Sequence, residues 1–240
     1  TVTGGMVGYL DRSLRTDYLL VPESIIFTDD TIGAGPELAR SIRDIPGIAE
    51  LTTRRRSKAQ VHGTGSVVIG VDPAAYPRLS GMVFTSGDAE RAFSLLDQGR
   101  YVIVNGVFAT SAGVKVGQEI VLETAEGPRS YQVVGVGVEY MNAKLGAVFI
   151  SQGNLERDFH ETNDAMIMVN LTQDADPAQV ESALFDLVED YPQFLLLSLD
   201  EFRATQLAWT DALGFSLYLL VSLLAVPSLL ALANTLGINV

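Results

Sequence analysis

The segment AMIMVNLTQDADPAQVESALFDLVEDYPQFLLLS, residues 165–198, indicates a strand, a helix and a second strand in succession. Apolar residues fill its two ends, at 165–170 and 194–197, as in buried strands. Between them, Asp176 and Pro177 are typical of a helix start. The apolar positions that come next recur at helical spacing: Val180, Leu184 and Leu187. The segment therefore predicts a β-α-β unit that ends near Ser198.

An earlier stretch has the same order of elements. The apolar run at 18–21 predicts a strand, PELARSIRD from Pro36 predicts a helix, and residues 48–51 predict the next strand. The two stretches share an architecture without a convincing sequence repeat. Two such units can pair into a split β-α-β sheet with its helices on one face.

The middle of the chain is rich in strands and turns. Residues 50–72 predict one hairpin around the turn at 62–66, and residues 119–138 predict another around 126–128. Short helices are predicted at 89–96, 107–112 and, after a Ser151 cap, 152–159. We expect an α+β fold in which this β-rich segment is inserted between the two β-α-β units.

The C-terminal part begins with a helix signal. Ser198-Leu199-Asp200-Glu201 is a capping box, in which the Ser198 hydroxyl and the Glu201 carboxylate each accept from the other residue's backbone amide. Phe202 lies at a hydrophobic-staple position, and Leu207 continues the apolar face. The sequence therefore predicts a helix from Leu199, with Ser198, Glu201, Phe202 and Leu207 as the residues that cap it and couple it to the apolar segment after it.

That apolar segment continues the helix. No charged residue comes after Asp211, and a helix from Leu213 to Leu236 would extend roughly 36 Å. That length exceeds the hydrocarbon core of a bilayer, about 30 Å. We predict a membrane span, with these residues at its interface and along its length: Trp209, Tyr218, Leu219, Leu220, Leu223, Leu224 and Pro227. The alternative is a buried core helix of a larger soluble protein.

Composition excludes several classes of function. The net charge is −13, from 29 acidic and 16 basic residues, so the basic footprint of a nucleic-acid binder is absent. The sequence has no cysteine, which excludes disulfides, thiolate catalysis and cysteine-based zinc sites. It starts at Thr1 without a signal peptide and stops inside an apolar run, so we expect a segment of a longer protein.

Two polar clusters are candidate sites. His160 lies in DFHETND among carboxylates, as in a metal site or a solvated loop; without a second histidine the loop is favoured. Arg54, Arg55, Arg56 and Lys58 could contact an anionic lipid or partner, or could protect an exposed strand edge, which is favoured. No catalytic, metal or cofactor set is evident, so no enzyme is expected.

Several motifs resemble one family of membrane transporters. NGVFATSAGVKVGQEIVL, residues 105–122, resembles the helix and G-x-K-x-G turn of MacB/FtsX-type ABC transporter permeases. SYQVVGVGVEY at 130–140 and VVIGVDPAAYPRL at 67–79 resemble the family's next strand and its connector. DADPAQVESAL at 174–184 is similar to its closing helix start, and LLALANTLGINV at 229–240 to its second membrane helix.

The resemblance implies an architecture and a task. Residues 1–16 would end a preceding transmembrane or stalk helix, 17–72 and 161–198 would form a split porter-like lobe, 73–160 an inserted lobe, and 199–240 a stalk helix entering the membrane. The domain would lie outside the cell membrane and transmit ATP-driven change to the export or release of a lipoprotein, peptide or antibiotic. ATP would be bound by a separate cytoplasmic ATPase. The further partners implied are a second permease copy or half, the lipid bilayer and an extracytoplasmic protein.

A second interpretation is a membrane-anchored extracellular sensor or binding domain with no role in transport. A basic stretch, further membrane helices and an ATPase beside this segment favour the permease, whereas a signalling domain after one helix favours the sensor. A membrane-anchored hydrolase is the third interpretation, and no catalytic set supports it.

Overall fold

The computed structural model of the protein describes residues 14–22, 33–61, 64–139 and 146–205, together with Val221 and Leu223. Its strands are β1 (Tyr18–Pro22), β2 (Ile48–Val61), β3 (Thr64–Val71), β4 (Val83–Ser86), β5 (Tyr101–Asn105), β6 (Glu119–Thr124), β7 (Gly127–Val138), β8 (Ala147–Ser151), β9 (Asp164–Leu171) and β10 (Phe194–Ser198). Its helices are α1 (Pro36–Arg43), α2 (Tyr76–Leu79), α3 (Ala89–Leu96), α4 (Gly106–Ala112), α5 (Gln152–Phe159) and α6 (Pro177–Val188). Residues 199–205 are also helical.

The two β-α-β units form one antiparallel sheet in the order β10-β1-β9-β2. Helices α1 and α6 cover one face of this sheet and contact each other. Alternate strand residues point toward them, because successive side chains of a strand face opposite sides. The resulting core is formed mainly by these buried residues: Tyr18, Leu20, Leu38, Ile42, Leu51, Ile167, Val169, Val180, Leu184 and Phe194.

The remaining strands extend the same sheet and curl it. From β2 the order continues β3-β8-β5-β7-β4, and β6 pairs with β7 and reaches back to β2 through Val61 and Leu122. The strands β2, β3, β8, β5, β7 and β6 therefore surround a second core, which includes these buried residues: Val61, Val68, Val104, Phe108, Ile120, Leu122, Tyr131, Val148, Ile150 and Leu155.

Strand β2 belongs to both cores. Its first part, from Ile48 to Arg55, pairs with β9, and its second part, from Arg54 to Val61, pairs with β3. The change of partner coincides with a register shift between Arg54 and Arg55 in the β9 ladder. One continuous backbone thus joins the helix-covered sheet to the curled part.

The predicted α+β class is confirmed, as are both hairpins and the helices at 89–96, 107–112 and 152–159. The Ser151 hydroxyl accepts from the Asn154 amide, as expected, and Gly113 after α4 has a left-handed conformation (φ 67°). Two short elements, α2 and β4, lie where the sequence suggests only a connector or no regular structure. Residues up to Leu199 form one compact unit, and residues from Asp200 form another.

Candidate functional site

The start of β1 and the end of β10 lie side by side. Strand β10 pairs antiparallel with β1, with Ser198 opposite Tyr18. The Leu199 amide then donates to the Asp17 carbonyl oxygen at 3.0 Å, which extends the ladder by one more hydrogen bond. Asp17, on the segment arriving at β1, and Leu199, on the segment departing from β10, are therefore neighbours, whereas Leu14 and Arg15, further back on the arriving segment, pair with Ser80 and Leu79.

The arriving segment is held by its own polar side chains. The buried Thr16 hydroxyl lies 2.9 Å from the Val169 carbonyl oxygen and accepts from the Val169 amide at 3.0 Å. Asp17 accepts from the Leu171 amide through Oδ2 at 2.8 Å, and its own amide donates to the Val169 carbonyl oxygen at 3.0 Å. These bonds fix the arriving segment to β9 before β1 begins.

The departing segment becomes helical at once. Strand β10 ends at Ser198, and residues 199–205 form a helix that starts at the predicted position. Arg203 donates to the Asp200 carboxylate at 2.9 Å, and Phe202 is buried. The proposed roles of Ser198, Glu201 and Phe202 in coupling stay predictions.

Most of the predicted membrane segment lies outside the described residues. This applies to Leu207, Trp209, Tyr218, Leu219, Leu220, Leu224 and Pro227. Val221 and Leu223 are helical and exposed. Within the part of the chain that the structure describes, no helix is both long and apolar enough to cross a membrane.

Arg54 and Arg55 of the basic cluster do not lie on an exposed strand edge, so for these two residues that interpretation is wrong. Strand β2 has a neighbour on each side at Arg54 and Arg55, because β9 and β3 overlap there. Arg54 is buried and Arg55 nearly so, whereas Arg56 is half-buried and Lys58 is exposed. The first two arginines are internal ion-pair residues at the change of strand partner.

Arg54 joins β2 to the end of β7. Its Nη1 donates to Glu139 Oε1 at 2.8 Å, although the side chains are only 8% and 2% exposed. Burial, the largest single influence, would lower the pKa of Arg54, but the charge and hydrogen bond of Glu139 together with the nearby Tyr76 outweigh it, so the pKa is raised. Tyr76 of α2 approaches the same carboxylate oxygen at 3.4 Å, and its pKa is raised by burial and by the Glu139 charge. This three-residue group ties α2, β2 and β7 together.

Arg55 joins β2 to the start of β9. Its Nε donates to Asp164 Oδ1 at 3.0 Å, and the Thr53 hydroxyl donates to the same oxygen at 2.8 Å. Gln152 of α5 donates to the Thr53 carbonyl oxygen at 2.9 Å. Arg55 thus links the shared strand to β9, and Gln152 links the same strand to α5.

The carboxylates near His160 have separate partners. Asp158 is buried and accepts from Arg100 at 2.8 and 2.9 Å and from the Tyr131 hydroxyl at 2.5 Å. Burial raises the pKa of Asp158, but these bonds and one from Arg157 outweigh it, so the pKa is lowered. Exposed His160 lies 2.7 Å from Glu126 instead. Among the described residues, no group of three histidine, aspartate or glutamate side chains is arranged for a metal ion.

The polar contacts described above join strands to strands and helices to strands, and the start of β1 lies beside the end of β10. Residues 1–187 match the family of MacB-like periplasmic core domains.

The chain belongs to this family. The resemblance seen in the sequence motifs is thereby confirmed, and this MacB-like domain is the extracytoplasmic domain of a MacB/FtsX-like ABC transporter permease. No curated protein matches the chain.

Two solved structures share the fold of this MacB-like domain. The periplasmic region of MacB from Actinobacillus actinomycetemcomitans matches with a TM-score of 0.60 and 12% identity, over 84% of this chain and 97% of that one. The extracellular domain of the noncanonic ABC-type transporter YknZ from Gram-positive bacteria matches with a TM-score of 0.53 and 14% identity, over 76% and 100%. At these identities the similarity concerns the fold alone.

Sequence reasoning missed the internal ion pairs of this MacB-like domain. Glu139 comes after the apolar run VVGVGV, and a charged residue directly after a buried strand could have indicated a paired carboxylate. Asp158 suggests only a metal ligand in the sequence, because its partners Arg100 and Tyr131 lie far away along the chain. The sequence around Tyr76 does not indicate its buried contact, because α2 is only a single helical turn.

Proposed function

We propose that this domain carries ATP-driven movement of the permease to the extracytoplasmic side, where the movement drives export or release of a lipoprotein, peptide or antibiotic, or acts on an external partner. The observation that supports it most is the pairing of the start of β1 with the end of β10. Asp17 and Leu199 are hydrogen-bonded neighbours, so two membrane helices attached there would act on one point of the sheet.

The departing helix is attached without a flexible linker. Helical residues begin directly after Ser198, which is itself paired in the sheet. A helix that continues an edge strand with no intervening loop passes displacement or tilt to that strand. The same helix, continued through residues 199–240 into a bilayer, would serve as the stalk.

Movement at this point can reach the rest of the domain through strand β2. We propose two lobes, a porter-like lobe of residues 17–72 and 161–198 and an inserted lobe of residues 73–160. Strand β2 contributes to both cores, and Arg54 and Arg55 are ion-paired where it changes partner. A shared strand with buried ion pairs favours movement of both lobes together.

The partners are implied by this task. We propose that the full permease works with a cytoplasmic ATPase and a second permease copy in the cell membrane, with this domain outside and in reach of an extracytoplasmic protein. No reaction is assigned to the domain itself. The sensor interpretation is less favoured, because the family is one of permease domains.

The proposal can be tested in the full-length permease with its ATPase in lipid nanodiscs. A spin label on Ser94→Cys in both copies would report the distance between the two domains with and without vanadate-trapped ATP, since Ser94 is exposed on α3. The variant A204P/T205P breaks the helix, because each interior proline costs about 3 kcal/mol. We expect ATP hydrolysis to persist while the nucleotide-dependent distance change is lost.

The matched control is A204S/T205S, which keeps the helix and should keep the distance change. A distance change of unaltered size in A204P/T205P, with the protein still in the membrane, contradicts transmission through this helix. A wild-type permease that shows no nucleotide-dependent distance change contradicts the proposed function as a whole.

A further inference from the structure

Strand β10 forms one edge of the sheet. In the order of strands that the structure describes, β10 comes last and pairs with β1 alone. Natural proteins usually protect such an edge with a charge, a proline or a bulge. The strand at the opposite edge, β4, has a register shift between Phe84 and Ser86. By contrast, β10 reads FLLLS, without a charge or a proline, and its pairs with β1 are in regular register.

The backbone of Leu196 faces away from β1. Along an antiparallel ladder, residues whose N–H and C=O groups point at the partner strand alternate with residues whose groups point away from it. The Leu199 amide donates to the Asp17 carbonyl oxygen. The register therefore turns the backbone groups of Leu197 and Leu195 toward β1 as well. Leu196, between them, offers one donor and one acceptor to a further strand.

Helix α6 borders this edge with an exposed aromatic ring. Helix α1 lies over β2 and β9, whereas α6 contacts β10 and has α1 on its other side. A helix turns by about 100° per residue, so Phe185, directly after the buried Leu184, lies on the flank opposite the half-buried Ala183. Phe185 is 60% exposed. Because α1 covers one flank of α6, the exposed flank is the one beside the β10 edge.

An added strand would meet apolar side chains on both of its faces. Phe194 and Leu196 point to the helix side of the sheet and pack against the core there, with Phe185 above them. Leu195 points to the opposite side and is 42% exposed. A groove between an edge strand and a helix is also the arrangement in which several domains bind an extended peptide by strand addition.

The surroundings of this edge are acidic. Residues 177–198 include four carboxylates and no lysine, arginine or histidine. One of the four, Glu181, accepts from the Tyr18 hydroxyl at 3.2 Å. The other three are exposed on α6 and just after it: Asp186, Glu189 and Asp190. The arginines of α1 lie beyond the opposite flank of α6, so the potential at the β10 edge favours a basic partner.

We infer that the β10 edge binds an extended segment of an extracytoplasmic protein as an added strand. The segment would carry apolar side chains at alternate positions and lysine or arginine among the others. A second copy of this chain fits less well, because its own β10 would bring the same carboxylates together. The inference deepens the proposed function by giving the external partner a docking place, and it rests on that function for the partner's presence outside the membrane.

A short synthetic peptide can test this surface in the full-length permease, held in nanodiscs of zwitterionic lipid. The probe alternates valine with lysine, and the matched control peptide alternates valine with glutamate. We expect the lysine peptide to bind in fluorescence anisotropy and the glutamate peptide to bind about tenfold more weakly or not at all. Bound probe should slow hydrogen exchange at the Leu196 amide. The amides of Leu195 and Leu197, already bonded to β1, should change little.

Two pairs of variants separate the edge from the ring beside it. Leu196→Pro removes the outward N–H at a position where an edge strand tolerates proline, and should abolish binding. Leu196→Ile keeps that N–H and should retain binding. Phe185→Ser should weaken binding by about tenfold, because a central aromatic contact is lost. Val107→Ser, at an exposed apolar position of α4, should leave it unchanged.

Several results would overturn the inference: no binding of the lysine peptide, equal binding of the two peptides, binding without protection at Leu196, or binding that Leu196→Pro leaves unaltered. These outcomes are separable from the proposed function. Peptide binding in a permease whose domains do not respond to nucleotide would refute transmission and leave the binding surface standing. A nucleotide response without peptide binding would refute the surface alone.

Discussion

Arg54 and Glu139 form a buried ion pair at 2.8 Å that joins the strand shared by both cores to the residue directly after β7 in the curled part. The pair lies where β2 exchanges β9 for β3 as its neighbour. Buried ion pairs contribute little net stability when intact, but removing one partner leaves a buried charge without its counter-ion. Their main effect is thus to make one arrangement of the strands strongly preferred.

Replacing Glu139→Gln should loosen this joint. We expect the free energy of opening of the β2 and β7 backbone amides to fall by roughly 3 kcal/mol, since Arg54 loses the carboxylate that compensates its charge. Hydrogen–deuterium exchange on the purified permease measures this. Glu37→Gln, at the exposed pair with Arg40, is the control and should change exchange by less than about 1 kcal/mol. Equal effects of the two variants would contradict the assigned role of Glu139.

Asp158 should make the domain sensitive to acid. Its pKa is lowered in the folded state by bonds from Arg100, Tyr131 and Arg157, so folding favours the ionised form. The resulting stability is complete above the unfolded-state pKa, about 3.9, and is lost as the pH falls from there through the folded-state value.

Thermal unfolding of the permease between neutral pH and acid measures this effect. Asp158→Asn should lower the unfolding temperature at neutral pH and flatten its fall in acid. Tyr131→Phe removes one hydrogen bond and should retain most of the fall. An acid profile that is the same in Asp158→Asn and the wild type would refute the role of this carboxylate.

The loss of unfolding temperature caused by three glycine-to-alanine substitutions should depend on the surroundings of each glycine. Gly47 has φ +94°, and an added Cβ would lie 2.9 Å from Val180 Cγ2, so Gly47→Ala combines backbone strain with a clash. Gly113 has φ +67° with open space around it, so Gly113→Ala adds strain of about 1 kcal/mol. Gly65→Ala meets nothing and has an ordinary φ. We expect the loss of unfolding temperature to decrease in that order, and any other order contradicts the described geometry.

Thr16→Val should weaken the attachment of residues 16–17 to β9 while keeping a side chain of nearly the same shape. The substitution removes the hydroxyl that bonds both backbone groups of Val169 and leaves buried groups with fewer partners, at a cost of about 1–3 kcal/mol. Hydrogen exchange at the Val169 amide should rise. Thr172→Val, at a half-buried position just after β9, is the control. Unchanged exchange at Val169 would show that β1 pairing alone fixes this segment.

The fold class and most elements could be predicted because their signals are local. The apolar spacing of Val180 and Leu184, and the helix start at Asp176-Pro177, depend only on neighbours in the sequence. The same holds for the helix boundary after Ser198. These signals also carry the family resemblance, because its motifs are turns and strands of the scaffold.

The internal ion pairs could not be predicted because they depend on contacts between distant residues. Arg54 meets Glu139 across 85 positions, and Arg100 meets Asp158 across 58. The run of arginines suggests an exposed strand edge, because charged residues usually face solvent. At Arg54 the second strand beside β2 is β3, which takes that position only when the chain folds back.

The pairing of Tyr18 with Ser198 decides which pulls the domain withstands. The residues before Tyr18 and those after Ser198 leave the β1–β10 ladder at the same end, so forces that pull these two segments apart would open its hydrogen bonds one after another. Forces that push or tilt both segments together load all hydrogen bonds of the ladder at the same time. We therefore expect the β1–β10 junction to resist compression better than peeling.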